Sequence, residues 1–267
     1  MILLYNIIYK KICYRKKVRK ILKENERIDD LQINNLKIIQ NTDGFCFGID
    51  SVLLSDFAKD LKNNSNVIDL GTGTGIISFL LLAKTQIKKI TGIEVQSEVA
   101  EMVKRSIELN NLEDKFQVIN CDIKNILSNV KRESFEVVVT NPPYKKINTG
   151  GKNINEKKLI SRHEILADIF DFIKAAKLVL KDKGTLYMVH RPERLADIIY
   201  GLRENKLEPK KIRFVYSNED SKEAKLILIK AVKNGGDFLQ VEKPLYIYDK
   251  NGEYTEEILK IYNLDKN

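Results

Sequence analysis

The chain has 267 residues, 43% hydrophobic and 31% charged, with no Trp, 13 Gly, 5 Pro and 3 Cys. That length suits one α/β domain with appendages or two small domains, and the composition excludes collagen-like, disulfide-scaffold and largely disordered classes. The formal charge of +9 is unevenly placed: residues 1–27 hold nine Lys/Arg against two Glu, leaving 37 basic and 35 acidic residues over 28–267, so any nucleic-acid argument rests on local patches.

The chain opens with MILLYNIIY followed by KKICYRKKVRK. The apolar run precedes the basic one, the reverse of a signal peptide, and is too short to span a bilayer. Residues 1–27 therefore read as a basic N-terminal extension, either frayed or an arm that touches RNA or a membrane surface, ahead of a single domain over 28–267. Cys13, Cys46 and Cys121 are widely separated with no CxxC spacing, which reads as reduced thiols in a cytoplasmic protein without a metal site.

Residues 30–40 alternate weakly, as short strands or a hairpin do. The spacing over Ile49–Leu61 predicts a helix with Asp50 or Ser51 as its N-cap. Strand-like runs then follow at Val67–Leu70, Lys89–Glu94, Phe116–Asn120, Phe135–Thr140, Gly184–His190, Ile212–Tyr216 and Leu226–Val232. Helical patterns at Ile76–Lys84, Glu98–Leu109, Glu164–Leu180 and Arg194–Glu204 separate most of them. Such alternation predicts an α/β fold: a doubly wound, Rossmann-like, seven-stranded sheet, mostly parallel. The turn-like SNEDSKEAK joins the last two strand runs, which predicts a terminal antiparallel hairpin at one edge.

Ligands of such sheets bind beyond the carboxyl ends of the strands, and four of those ends carry unusual residues. Asp69-Leu-Gly71-Thr-Gly73-Thr-Gly75 follows the first strand of the alternation and opens a helix. Its GxGxG spacing is closer than the GxGxxG dinucleotide fingerprint, which suggests a ligand with one nucleoside and no pyrophosphate. Glu94 ends the next strand at the distance where a carboxylate accepts ribose hydroxyls. Asp122 follows the third and can accept from an adenine amine. The last of the four is Asn141-Pro142-Pro143-Tyr144. Its prolines remove two backbone donors and stiffen the chain, leaving the Asn141 side-chain oxygen and the Pro142 carbonyl as fixed acceptors. Tyr144 adds a ring on which a planar base can stack. Two acceptors on the hydrogens of an aromatic amine favour a pyramidal nitrogen whose lone pair can meet an electrophilic methyl, and the proton can leave late, to water.

Together, Asp69–Gly75, Glu94, Asp122 and NPPY resemble the class I S-adenosylmethionine-dependent methyltransferases that modify planar or amide nitrogens. The likeness extends to Glu26–Gln32, Phe47–Ser51, Arg162-His163-Glu164, His190–Leu195 and the tail KPLYIYDKNGEYTEEILKIY, and is similar to the bacterial tRNA(Val) adenine-N6-methyltransferase family over roughly 24–263. The resemblance implies S-adenosyl-L-methionine as cofactor, held by Asp69, Gly71, Gly73 and Gly75 at its methionine and ribose part, by Glu94 at the ribose and by Asp122 at the adenine. It implies that Asn141, Pro142 and Tyr144 hold the target base and that the Phe47–Ser51 segment, with Asp50, closes over the methionine end. The expected reaction is N6-methylation of an adenine in tRNA, beside the anticodon of tRNA(Val). Ser161, where Ala usually precedes Arg-His-Glu, and Tyr216-Ser217, where His-Pro is frequent, depart from the family pattern.

Alternatives are N5-methylation of a release-factor glutamine, which NPPY can also serve, and guanine-N2 methylation of rRNA. A helical bundle ahead of the core is expected of the first and is not seen in this sequence. An NAD dehydrogenase is disfavoured by the glycine spacing. Lys145, Lys146, Lys152, Lys157, Lys158 and Arg162 form a basic loop after the NPPY turn that could grip RNA, with Arg191, Arg194, Lys210, Lys211 and Arg213 as a possible extension. His163 and His190, the two histidines, lack partners at metal-ligand spacing and read as capped structural residues, with a backbone or RNA contact as the alternative for His190, which ends a strand beside Arg191. Cys121 either lines the adenine pocket or is a small buried hydrophobe.

Overall fold

A computed structural model of the chain describes residues 21–42, 48–144 and 167–264. The basic loop, Phe47, Cys13, Cys46, Ser161, Arg162, His163 and most of the N-terminal extension lie outside the described residues. Strands β1 (Glu26–Asp30) and β2 (Lys37–Asn41) form a separate antiparallel hairpin that pairs Ile28 with Ile39. Helix α1 (Ile49–Phe57) follows, then β3 (Asn66–Leu70), α2 (Ile76–Lys84), β4 (Lys89–Glu94), α3 (Ser97–Leu109), β5 (Phe116–Asn120) and β6 (Phe135–Thr140). After the gap come α4 (Ile169–Val179), β7 (Leu180–His190), α5 (Leu195–Glu204), β8 (Leu207–Tyr216), β9 (Leu226–Lys233), β10 (Gln240–Val241), β11 (Leu245–Tyr246) and α6 (Glu256–Ile261).

The main sheet runs β5-β4-β3-β6-β7-β9-β8, parallel from β5 to β7 and antiparallel on both sides of β9. The seven long strands are those the sequence predicts. The two-residue strands β10 and β11, parallel to β8, extend the sheet to nine. The β8–β9 pair is the expected antiparallel hairpin, with β9 inside the sheet and β8 outside it. Alternation along each strand sends side chains to opposite faces. Val67, Val137 and Val139 pack with Leu53, Phe79, Val103 and Ile258 from α1, α2, α3 and α6. Ile68 and Val138 pack with Phe172, Ile173, Ile198 and Leu202 from α4 and α5. Helices thus cover both faces, as buried parallel strands require.

Several boundaries move. Helix α1 ends at Phe57, short of Leu61, and its N-cap is Gly48, whose backbone is extended and which offers no side-chain cap; Asp50 and Ser51 sit inside the first turn instead. Strand β7 starts at Leu180, ahead of the expected Gly184, because Leu180 pairs with Phe135 before a register break and Thr185 then pairs with Val137. The break absorbs the Lys-Asp-Lys-Gly turn, with Lys183 at φ 58°. Strand β8 likewise begins early, at Leu207, and shifts register between Pro209 and Lys211, where the proline has no N–H to give.

Residues just ahead of 28 are tied to the body, with β1 reaching back to Glu26. Arg105 on α3 forks onto the Glu26 carboxylate through Nη1–Oε2 (2.6 Å) and Nη2–Oε1 (2.7 Å) and also donates to the Ile21 carbonyl. Both side chains are largely buried, at 12% and 7% exposure. Burial is outweighed by the guanidinium, which holds the Glu26 carboxyl below its ordinary range. Ile39 N–H donates to Ser106 Oγ at 3.0 Å and fastens β2 to the same helix. Arg105→Ala, which leaves a covered carboxylate unpaired, should cost about 3 kcal/mol in urea unfolding. Lys23→Ala removes the exposed ion pair to Glu101 and should cost less than about 1 kcal/mol. Because Glu26 titrates lower in the folded than in the unfolded chain, the Arg105 contribution is present above pH 4.5 and fades as pH falls through the lowered value.

Candidate active site

Strands β6, β3, β4 and β5 are neighbours and parallel, so their carboxyl ends share one rim. The four clusters singled out from the sequence all lie there. Thr140 Oγ1 donates to the Leu70 carbonyl at 2.8 Å and ties the end of β6 to the end of β3.

The glycine loop is held from within. Asp69 is fully buried; its Oδ2 accepts from Thr72 Oγ1 (2.7 Å) and from Ser78 Oγ (2.8 Å) on α2, while Oδ1 has no partner. Burial, only partly offset by those hydroxyls, raises the Asp69 carboxyl from 3.8 to about 6. Glu94 is nearly buried and clasps the loop: Oε2 accepts from Gly73 N–H at 3.0 Å and Oε1 from Gln96 N–H at 2.9 Å. Gly71, Gly73 and Gly75 all have positive φ. Their surroundings differ. A Cβ at Gly75 would press on Phe79 and Val103 at 3.2 Å, and one at Gly71 on the Phe172 ring at 3.1 Å, whereas one at Gly73 would meet nothing within 4 Å. The open side of the loop is therefore at Gly73, while Gly75 brings α2 close onto the sheet.

Asp122 follows β5 and caps a short 3-10 helix, its Oδ1 accepting from Lys124 N–H at 2.9 Å and Oδ2 lying 3.8 Å from Lys124 Nζ. Cys121 beside it is half-buried, and burial raises its thiol above the ordinary value.

The NPPY turn is tied to α1. Asp50, almost buried, accepts from the Tyr144 hydroxyl at 2.6 Å and from Asn141 Nδ2 at 3.1 Å through the same Oδ2, and from Ser51 N–H at 2.9 Å through Oδ1. Asn141 Nδ2 also lies 3.4 Å from Ser51 Oγ. An ionised carboxylate only accepts, so the atom facing Asp50 is the amide nitrogen and the Asn141 oxygen points elsewhere. No described residue donates to Asn141 Oδ1 or to the Pro142 carbonyl, the two acceptors that the sequence singles out. Burial first, then the Asp50 charge, holds the Tyr144 hydroxyl far above its usual range, so it stays a neutral donor. Asp50, which the resemblance assigns to the cofactor, is thus bonded in this structure to the residues of the NPPY turn.

Two residues not assigned to the site complete the Tyr144 surroundings. His190, ending β7, is fully buried and meets the Tyr144 ring edge-on with centroids 5.1 Å apart. Its Nδ1 accepts from Arg191 N–H at 2.8 Å; Nε2 has no partner of ordinary geometry, although the Pro143 carbonyl faces it. Burial lowers its value to about 4, so the ring is neutral near pH 7. The Arg191 guanidinium lies over the Tyr144 ring, 5.2 Å from its centroid. The sequence marks them through the His190–Leu195 likeness and through Arg191 as a possible RNA contact, and His190 ends the strand beside β6, with Arg191 next to it. Among the described residues, no group of three or more His, Cys, Asp or Glu gathers as a metal site.

The fit to a cationic nucleoside ligand rests on two of these features: a buried carboxylate oxygen without a donor, and a backbone bend with open space at Gly73. A carboxyl raised on folding binds a proton that the unfolded chain has released, so its contribution to stability declines as pH climbs from 3.8 to about 6, by roughly 3 kcal/mol at neutrality. Asp69→Asn cannot ionise and should gain thermal stability over the ligand-free wild type across that interval. Melting curves of the two proteins that run parallel over this range would contradict the burial of a charge there.

A family model described as methyltransferase small domain matches residues 47–199, more than half of the chain. The tRNA1(Val) (adenine(37)-N6)-methyltransferase of Flavobacterium johnsoniae is 23% identical over 230 residues, covering 86% of this chain and 96% of the relative. The protein of the same name from Flavobacteriaceae bacterium strain 3519-10 is 25% identical over 223 residues, covering 83% and 91%. Among solved structures, a "predicted O-methyltransferase" of Agrobacterium tumefaciens superposes with TM-score 0.64 at 21% identity, over 80% of this chain and 95% of that one. Geranyl diphosphate C-methyltransferase of Streptomyces coelicolor A3(2), solved with S-adenosyl-L-homocysteine, gives 0.51 at 11% identity over 69% and 78%. These structures share the class I methyltransferase fold with the chain.

Proposed function

The chain belongs to the methyltransferase small domain family, and we propose that it transfers a methyl group from S-adenosylmethionine to N6 of an adenine in tRNA, the adenine beside the anticodon of tRNA(Val). Relatives that carry this name align over most of their length and of this chain, which supports the RNA substrate. The observation that carries the reading is the orientation of Asn141: Asp50 takes its amide nitrogen, so the atom left for a substrate is an acceptor, as an amine requires.

S-adenosylmethionine, when bound, supplies a methyl carbon made electrophilic by its sulfonium and departs as the neutral thioether. Gly73 and its neighbours, Asp69, Glu94 and Asp122 would hold it along the shared rim, with the unpartnered Asp69 oxygen suited to positive charge. Asn141 Oδ1 and the Pro142 carbonyl accept the two amine hydrogens and turn the nitrogen lone pair out of conjugation with the ring. Tyr144 offers its ring for the base to stack on. The amine gains a methyl group and loses one proton, which passes to water. Asp50 Oδ2 already accepts two hydrogen bonds, so its part is to hold Asn141 and Tyr144 in place rather than to take that proton. We assign residues 28–267 to this enzyme domain and place it in the cytoplasm with its substrate; among the described residues, no helix is long and apolar enough to cross a membrane.

Purified protein incubated with labelled cofactor and separate pools of tRNA, rRNA, DNA and release factor should label tRNA, with N6-methyladenosine in the nucleoside digest. Label confined to release factor would move the reaction to a glutamine amide, and label in rRNA as N2-methylguanosine would move it to guanine. Asn141→Ala should lower kcat by about 10²–10³ while cofactor affinity, read by calorimetry, changes little. Loss of cofactor binding in that variant would relocate Asn141 to the cofactor site.

A further inference from the structure

Arg27, Arg105, Arg194, Arg203 and Arg213 each meet a carboxylate within 4 Å. Arg191 meets none among the described residues. The one hydrogen bond of its guanidinium there is from Nη1 to the Lys225 carbonyl at 3.2 Å, which leaves most of the five guanidinium N–H donors unused. The guanidinium is half-buried and anchored over Tyr144, and its charge is felt at the Tyr144 hydroxyl. A guanidinium held in place yet without an anion among the described residues is poised for one brought by a ligand, and its planar fork matches a phosphate.

Resting on the tRNA reading above, we propose that Arg191 binds the phosphodiester of the nucleotide whose base lies against Tyr144. Arg191 covers one face of the Tyr144 ring and His190 meets it edge-on; we place the phosphate on the Arg191 side and the base against the rest of Tyr144. The pair thus reads a base and its backbone together. A peptide glutamine brings no phosphate to this position, so Arg191 selects for nucleic acid over protein.

The test is a cycle on an RNA hairpin with the anticodon-arm sequence of tRNA(Val), made either with native linkages or with uncharged methylphosphonates on both sides of the target adenosine. Wild-type kcat/KM should fall roughly tenfold or more on the neutral hairpin, and Arg191→Gln should show a similar loss on the native one. The expected signature is that Arg191→Gln is nearly indifferent to the linkage, with the native loss residing mainly in KM. Arg191→Lys, which keeps the charge but not the fork, should fall between, and unchanged S-adenosylhomocysteine affinity establishes that each variant is folded. Equal linkage sensitivity in wild type and Arg191→Gln would overturn the Arg191 assignment and leave the reaction standing. Failure of the wild type to methylate any RNA would overturn the reaction itself, and this proposal with it.

Discussion

The geometry of the site depends on one carboxylate. Asp50 sits in the first turn of α1, and the residues it holds, Asn141 and Tyr144, lie 91 and 94 positions further along the chain. Because an ionised carboxylate can only accept, it dictates which end of the Asn141 amide is free and which direction the Tyr144 O–H points. The prolines between them stiffen the turn, so the orientation imposed at either end carries across it.

The other half of the rim is organised by compensation of a different kind. Asp69 is buried with two hydroxyl donors on one oxygen and none on the other, whereas Glu94 receives backbone N–H groups on both. The two carboxylates therefore differ in what they lack. Glu94 braces the loop, and Asp69 keeps a deficit that a positive group can correct. The loop glycines divide in the same way: the bend at Gly73 faces open space, while the room that Gly75 saves is filled by aromatic packing.

Strands β4 and β6 match their predicted bounds because the runs KITGIE and FEVVVT bury side chains on both faces of a parallel sheet and leave no competing helical period, and edge strand β5 matches through its alternation of buried and exposed residues. The alternation of elements likewise exposed the four strand ends and the types of residue on them. What the sequence hid was tertiary. Asp50 has the composition of a cap, but its side chain is drawn into the NPPY turn, and Gly48 takes the end of the helix. Dipeptide strands such as Gln240–Val241 are too short for any period to register. His190 looked like a lone structural histidine, and its burial agrees, yet its contact with Tyr144 depends on the pairing of β7 with β6, which no local pattern records.

That same sheet has a consequence at its far rim. Strand β8 would present an unfilled row of amides and carbonyls to solvent, the kind of border onto which another polypeptide can add itself. Gln240–Val241 and Leu245–Tyr246 occupy that row in parallel register, and Lys211–Glu242 and Arg213–Glu257 place charged pairs along it. The tail thus works as a selvage, finishing the fabric so that molecules crowded together in solution do not ravel into one another.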